Sequence, residues 1–131
     1  MASLLTSQKR RILLVDDDRD ILYVFRRGLE RKFQVDAYSD PAQALARYKE
    51  HPDEYDLVLT DVRMPSMNGF ELAKAIHDIK RVPVLFMITD TVLRSEYQNI
   101  FPAAESSFID KPLSLSELEE LVSKYVSVMQ Q

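Results

Sequence analysis

The sequence predicts an α/β fold, a parallel sheet with helices packed on both faces. Two observations carry that prediction. Five short apolar or alternating runs are interleaved with five stretches whose apolar residues recur at helical spacing. Three of the runs, 11–15, 57–60 and 84–88, are almost continuously apolar, as strands covered on both faces must be. Parallel strands joined through helices then take right-handed crossovers.

Arg11-Ile12-Leu13-Leu14-Val15 is the first strand and runs directly into Asp16-Asp17-Asp18. Ile21, Leu22, Phe25 and Leu29 follow at helical spacing through Arg31, with Asp18 as the cap. Gly28 lies inside this helix at a cost of about 1 kcal/mol relative to alanine, which marks it for close packing. From Phe33 to Tyr38, apolar Phe33, Val35 and Ala37 alternate with Gln34 and Asp36, the pattern of an edge strand with one exposed face. Ser39-Asp40-Pro41 opens a second helix, because proline at the first helical position loses no hydrogen bond. Ala42, Leu45, Ala46 and Tyr48 form its expected apolar face, and His51-Pro52-Asp53 ends it.

Leu57 to Asp61 is the third strand, too short for a helix and terminated by a carboxylate. Pro65, Asn68 and Gly69 punctuate the loop after it, and Asn68 caps a helix with Phe70, Leu72, Ala73 and Ile76 inward. Val84 to Thr89 is the fourth strand, and Thr91 to Ile100 a weaker helical pattern stopped by Pro102. Ser107-Phe108-Ile109-Asp110 is long enough for a strand alone, with Lys111-Pro112 directly behind it. Ser114 stands three before Glu117, a capping-box signature, ahead of Leu118, Leu121, Val122, Tyr125, Val126 and Met129 in a long final helix.

The chain's 131 residues, 46% hydrophobic and 29% charged, suffice for one core, so residues 1–10 are expected as a flexible tail and 11–131 as the domain. A net charge of -4 gives no basic footprint, which argues against direct DNA binding. The absence of cysteine excludes disulfides and thiolate metal sites and makes the cytoplasm the expected compartment. No apolar stretch approaches the ~20 residues of a spanning helix, so no membrane is expected as a partner.

Parallel strands bring their carboxyl ends to one edge of the sheet, where open α/β sheets bind ligands. Asp16 and Asp17 follow the first strand, Asp61 ends the third, Thr89 the fourth, and Lys111 follows the fifth. Carboxylates gathered there repel, each pair by about 4 kcal/mol at ~4 Å and an effective dielectric of ~20. Lys111 offers one compensating charge, and the all-oxygen donor set suits a hard cation, most simply Mg²⁺. A carboxylate nucleophile at Asp61, a divalent ion, a lysine and a hydroxyl are the parts needed to move a phosphoryl group onto Asp61.

Val15-Asp16-Asp17-Asp18, the run Asp61 to Gly69, Thr89, and Phe108-Ile109-Asp110-Lys111-Pro112 stand in the order and spacing of a known family. The chain resembles the receiver domain of two-component response regulators from about Arg11 to about Val128. The resemblance implies a (βα)5 doubly wound, flavodoxin-like fold with strand order 2-1-3-4-5. It implies that Asp61 is the phosphoacceptor, supplied by a phosphohistidine on a sensor histidine kinase or histidine phosphotransfer protein. Asp17, Asp61 and the backbone carbonyl of Arg63 would bind Mg²⁺ directly, and Asp16 largely through water. Thr89 and Lys111 would contact the phosphoryl group, Thr89 and Phe108 would form a switch pair, and Pro112 would follow a cis peptide.

Output would pass through the face of the fourth helix, fifth strand and fifth helix to a downstream protein not named by the sequence. The chain would act as a stand-alone monomer or a phosphorylation-linked dimer. It would be a switch and not an enzyme, beyond catalysing its own phosphorylation and dephosphorylation.

Two departures fall on the switch side. Asp90 occupies a position where the family has a small residue; it either points inward, opposing the phosphorylated state, or caps the fourth helix, which helix-start chemistry favours. Ala103-Ala104, preceded by Pro102, stands where the family often has Gly-Ala. Asp90 motivates the alternative of a phosphorylation-independent pseudo-receiver, against which the intact Asp16, Asp17, Asp61, Thr89 and Lys111 weigh. Thr91, with Arg63, is a candidate for controlling water access to Asp61. A hydrolase of the haloacid-dehalogenase type would carry a second aspartate two residues after the nucleophile, where this chain has Arg63. Met64, Met67 and Met87 read as packing residues, His51 and His77 as surface residues. The surplus of Leu115, Leu121, Val126 and Val128 on the final helix suggests a partner or dimer surface.

Overall fold

A computed structural model describes residues 9–88, 106–110 and 114–129 of the chain. Along it run β1 (Arg11–Val15), α1 (Arg19–Leu29), β2 (Gln34–Tyr38), α2 (Pro41–Glu50), β3 (Leu57–Asp61), α3 (Gly69–Ile79), β4 (Val84–Ile88), β5 (Ser106–Asp110) and a C-terminal helix (Leu115–Met129). The predicted helix at 91–100 lies outside the described residues. All the strands pair in parallel in the order β2-β1-β3-β4-β5, as the resemblance implies.

Alternation along the strands sorts the side chains onto two faces. Leu13, Val15, Val58, Val84 and Phe86 pack on one side with Tyr48 of α2 and Phe70, Ala73 and Ile76 of α3. Ile12, Leu14, Leu57, Leu59, Leu85 and Met87 pack on the other with Phe25 and Leu29 of α1 and Leu118, Val122 and Val126 of the C-terminal helix. β1 and β3 are covered on both sides, which is why their sequences are continuously apolar.

The helix ends follow local side-chain chemistry. Asp18 Oδ1 accepts from the amides of Asp20 and Ile21, and Asp40 Oδ1 from that of Ala42. Asn68 and Glu71 form a reciprocal capping box, as do Ser114 and Glu117, where the Ser114 amide holds the Glu117 carboxyl below its ordinary range. α1 stops at Leu29, two residues short of the expectation, with residues 30–32 forming the turn into β2. Gly28 is closely packed as anticipated, since a Cβ there would collide with the Leu115 side chain.

Four sequence expectations need correction. On α2 the buried side chains are Pro41, Ala44 and Tyr48, while Ala42 and Ala46 are exposed. Of the surplus apolar residues on the last helix, Leu121 is 42% exposed as expected, but Val126 is buried and Leu115 packs against the core, so they do not join a free surface. Neither histidine is a bare surface group: His51 Nδ1 lies 2.6 Å from Glu54 and the His77 ring 2.8 Å from the Val82 carbonyl oxygen. Nor is the polar face of β2 left to solvent. Asp36 accepts from Arg11 Nη1 at 3.1 Å and from the Tyr55 hydroxyl at 2.6 Å, and the Tyr55 hydroxyl in turn accepts from Arg47 Nε at 3.0 Å. A polar pattern that reads as exposure is instead a saturated network beneath the end of α2.

The same layer contains Tyr48, stacked on Tyr55 with ring centroids 5.9 Å apart and donating to the Lys80 carbonyl at 2.8 Å. Burial, assisted by the Asp53 carboxylate, pushes the Tyr48 phenol up to about 12, and burial raises Tyr55 in the same direction. An unfolded tyrosine ionises near 10. Because the folded-state value is raised, this contribution to stability is complete below about pH 10 and is lost as pH climbs toward about 12. Urea denaturation across that range should show wild-type stability falling, and Tyr48→Phe falling less steeply despite starting about 1 kcal/mol lower for its lost hydrogen bond.

Candidate functional site

The in-register pairing of β1 with β3 aligns Val15 with Thr60, so one step further along both strands come Asp16 and Asp61. Asp16 is fully buried and Asp61 8% exposed, while Asp17 is exposed. One carboxylate oxygen from each of the three lies within 4.8 Å of the others. Residues 45 positions apart in sequence thus share one acidic cluster at the carboxyl rim of the sheet.

Backbone amides fix the two buried carboxylates. Asp16 Oδ1 accepts from the Asp18 amide at 3.0 Å, and the Asp16 amide itself donates to the Tyr38 carbonyl at 3.2 Å. Asp61 Oδ1 accepts from the Val62 amide at 2.9 Å, and the buried Thr60 hydroxyl donates to the Asp61 carbonyl oxygen at 2.9 Å. Each of these carboxylate bonds comes from an amide no more than two residues further along the chain.

The loop after β3 folds back on the strand end. Ser66 takes φ of +66°, a conformation that costs a non-glycine residue about 1 kcal/mol, just ahead of the capping Asn68. The Gly69 amide then donates to the Val62 carbonyl at 2.8 Å. Gly69 opens α3 so close to the strand that a Cβ would collide with the Asp61 carbonyl oxygen and press on Val62 Cα at 3.0 Å. The sequence marked Gly69 as turn punctuation; the geometry makes it the residue that lets α3 start beside Asp61. Thr60, read simply as a strand residue, also acts on Asp61, and its β-branched type gave no functional signal.

Among the other residues singled out, Arg63 is exposed and lines a shallow hollow with Val62, Met64, Pro65 and Asn68. Phe108 takes its place in β5 opposite Phe86. Ile88 and Asp110 are register partners at the ends of β4 and β5. They immediately precede Thr89 and Lys111, which with Asp90, Thr91 and Pro112 lie outside the described residues. The structure therefore brings together Asp16, Asp17 and Asp61, and places the strands that lead to the rest.

A family model for the response regulator receiver domain matches residues 12–123. The chain belongs to this family. It is 35% identical over 115 residues to a putative two-component response regulator, ARR21, of Arabidopsis thaliana, which covers 86% of this chain and 18% of that protein. It is 32% identical over 120 residues to the transcriptional regulatory protein SpaR of Bacillus subtilis, covering 88% of this chain and 51% of the relative. The chain thus spans about a fifth and about half of these two relatives. The solved structure of the non-phosphorylated HemR receiver domain from Leptospira biflexa superposes with a TM-score of 0.78 at 32% identity, covering 91% of this chain and 95% of that one. This is a receiver domain of two-component signalling, and among its described residues no helix is long and apolar enough to cross a membrane.

The two glycines separate backbone from side-chain obstruction. Gly69→Ala drives a Cβ into backbone, which cannot rotate away, whereas Gly28→Ala meets the flexible Leu115 side chain and recovers about 1 kcal/mol of helix propensity. Chemical denaturation should show the larger loss for Gly69→Ala, about 2 kcal/mol or more.

Proposed function

We propose that this receiver domain accepts a phosphoryl group on Asp61 in a Mg²⁺-dependent step, from a phosphohistidine on a sensor histidine kinase or histidine phosphotransfer protein. The observation that carries the reading is the grouping of Asp16, Asp17 and Asp61 within 4.8 Å, oxygen to oxygen, at the carboxyl rim of a parallel sheet. Three hard oxygen donors around a space of that size fit a divalent cation, and without one their repulsion has to be met elsewhere. Asp17, Asp61 and the Arg63 carbonyl would hold the ion, with Asp16 acting mainly through water. Bound Mg²⁺ supplies positive charge that draws phosphoryl oxygens to the rim and offsets their charge.

The chain's own part is positioning. Val62 N–H fixes Oδ1 of Asp61, so the carboxylate is presented in one orientation to the incoming phosphorus. A carboxylate oxygen of Asp61 bonds to phosphorus as the bond from phosphorus to the donor imidazole nitrogen breaks, and the electron pair leaves with the ring. Low exposure at Asp61 limits the water that competes as acceptor. Thr89 and Lys111 are assigned the phosphoryl oxygens, and Thr89 with Phe108 the switch, by family resemblance. Asp90 and Thr91 are assigned the role of modulators. The domain turns over its own phosphoryl group and acts on no other substrate; its output is contact with a downstream protein in the cytoplasm, without direct DNA binding.

Intact mass after incubation with acetyl phosphate should show one phosphoryl adduct that requires Mg²⁺ and is absent in Asp61→Asn. No adduct even after rapid quenching would instead favour the phosphorylation-independent pseudo-receiver. Asp17→Asn removes one of three mutually repelling carboxylates. Its melting temperature without Mg²⁺ should therefore rise above wild type, while the increase that Mg²⁺ gives the wild-type domain should shrink or vanish, both read by thermal unfolding.

A further inference from the structure

Among the described residues, β2 pairs on one side only. Gln34 N–H donates to the Arg10 carbonyl at 2.9 Å and the Tyr38 carbonyl accepts from Asp16 N–H at 3.2 Å, so Gln34, Asp36 and Tyr38 turn their backbone groups toward β1. Alternation then turns the N–H and C=O of Val35 and Ala37 outward. Among the described residues no strand lies on that side. Residues 35–39 are each half-buried, where 12–15 and 57–62 are buried throughout.

Natural proteins usually blunt such an edge with a charged side chain, a proline or a bulge. The charged residue of β2 does not serve here, because Asp36 is turned onto the α2 face and bonded to Arg11 and Tyr55. The outward edge instead opens into a hollow between α1 and α2, lined by Arg19, Tyr23 and Arg26 of α1, by Ala37 and Tyr38, and by Gln43 of α2. The lining holds two arginines and no carboxylate, on a chain of net charge -4. Tyr23 is 56% exposed, and the guanidinium groups of Arg26 and Arg27 sit 6.0 and 5.9 Å from its ring centre.

We infer that this edge is a docking site for an extended, acidic segment of a partner protein, which adds to the sheet as a strand beside β2. The outward groups of Val35 and Ala37 supply the main-chain ladder, Arg19 and Arg26 select acidic side chains, and Tyr23 packs against an apolar residue of the segment. The site is separate from Asp61.

The test uses the whole chain, labelled with ¹⁵N, and two blocked peptides, Glu-Thr-Val-Thr-Glu-Thr, whose glutamates and valine share one face of a strand, and its lysine counterpart. The acidic peptide should slow amide exchange at Val35 and Ala37 and bind at least about tenfold more tightly than the lysine peptide, an advantage that salt erodes. Ala37→Pro deletes an outward N–H that bonds nothing in the sheet, so circular dichroism should stay unchanged while binding falls about tenfold or more. Arg19→Ser with Arg26→Ser should weaken the acidic peptide similarly and leave the strand intact. Equal binding of both peptides, shifts confined to α1 without protection of Val35 and Ala37, or no saturation by the acidic peptide at about millimolar concentration would each overturn the assignment.

Discussion

Pairing β1 with β3 in parallel register delivers Asp16 and Asp61 to the same rim, and the rest of the domain has to tolerate that placement. Carboxylates a few ångströms apart repel by about 4 kcal/mol per pair even at an effective dielectric of ~20. The resistance comes from the sheet interior, where Leu13, Leu14, Val15, Val58 and Leu59 are inaccessible to solvent on both faces. Slipping β1 by one residue would turn Leu13, Leu14 and Val15 each to the opposite face, and slipping β3 would do the same to Val58 and Leu59, so the packing of both cores would be lost. The acidic rim is therefore held in place by apolar burial beneath it. The amides of Asp18 and Val62 add orientation to that placement.

A second carboxylate on the sheet shows what full compensation looks like. Asp36 is met by Arg11 at 3.1 Å, by Arg47 at 3.9 Å and by the Tyr55 hydroxyl at 2.6 Å. A carboxylate so furnished has its lone pairs committed, and its worth lies in tying α2 and the 51–56 turn to the edge strand. The Asp61 rim instead groups three carboxylates within 4.8 Å of one another, a donor set that suits a divalent cation.

The sheet and its helix caps were legible in the sequence because they depend on local rules: apolar runs for β1, β3 and β4, and Asp18, Asp40, Asn68 and Ser114 at helix starts. The acidic site was legible because parallel topology turns strand-end position into proximity, whatever the separation along the chain. Other features were not. The inward face of α2 was misplaced by one small residue type, since alanines at 42, 44 and 46 are equivalent on a hydropathy pattern and only the approach of Tyr48 to the sheet decides among them. The Asp36 network escaped notice because Tyr55 lies in a turn, where an aromatic residue has no periodicity to reveal it. Gly69 read as a turn residue, because the nearness of the Asp61 carbonyl is a matter of packing between segments.

One element touches both the acidic rim and the open edge of the sheet. α1 begins at Arg19, which lines the hollow beside β2, and the turn before it is tied back to Asp16 through the Asp18 amide. The chain between Asp16 and Arg19 is two residues long, so Asp16 cannot reorient without moving the start of α1 unless that amide bond is given up. While that bond holds, a ligand that bound one position of Arg19 more tightly than another would bias the rim as well. Linkage makes the effect reciprocal, with occupancy of the rim changing affinity at the edge by the same factor. The short connection needs no path through the core, because the coupling runs along three consecutive peptide units.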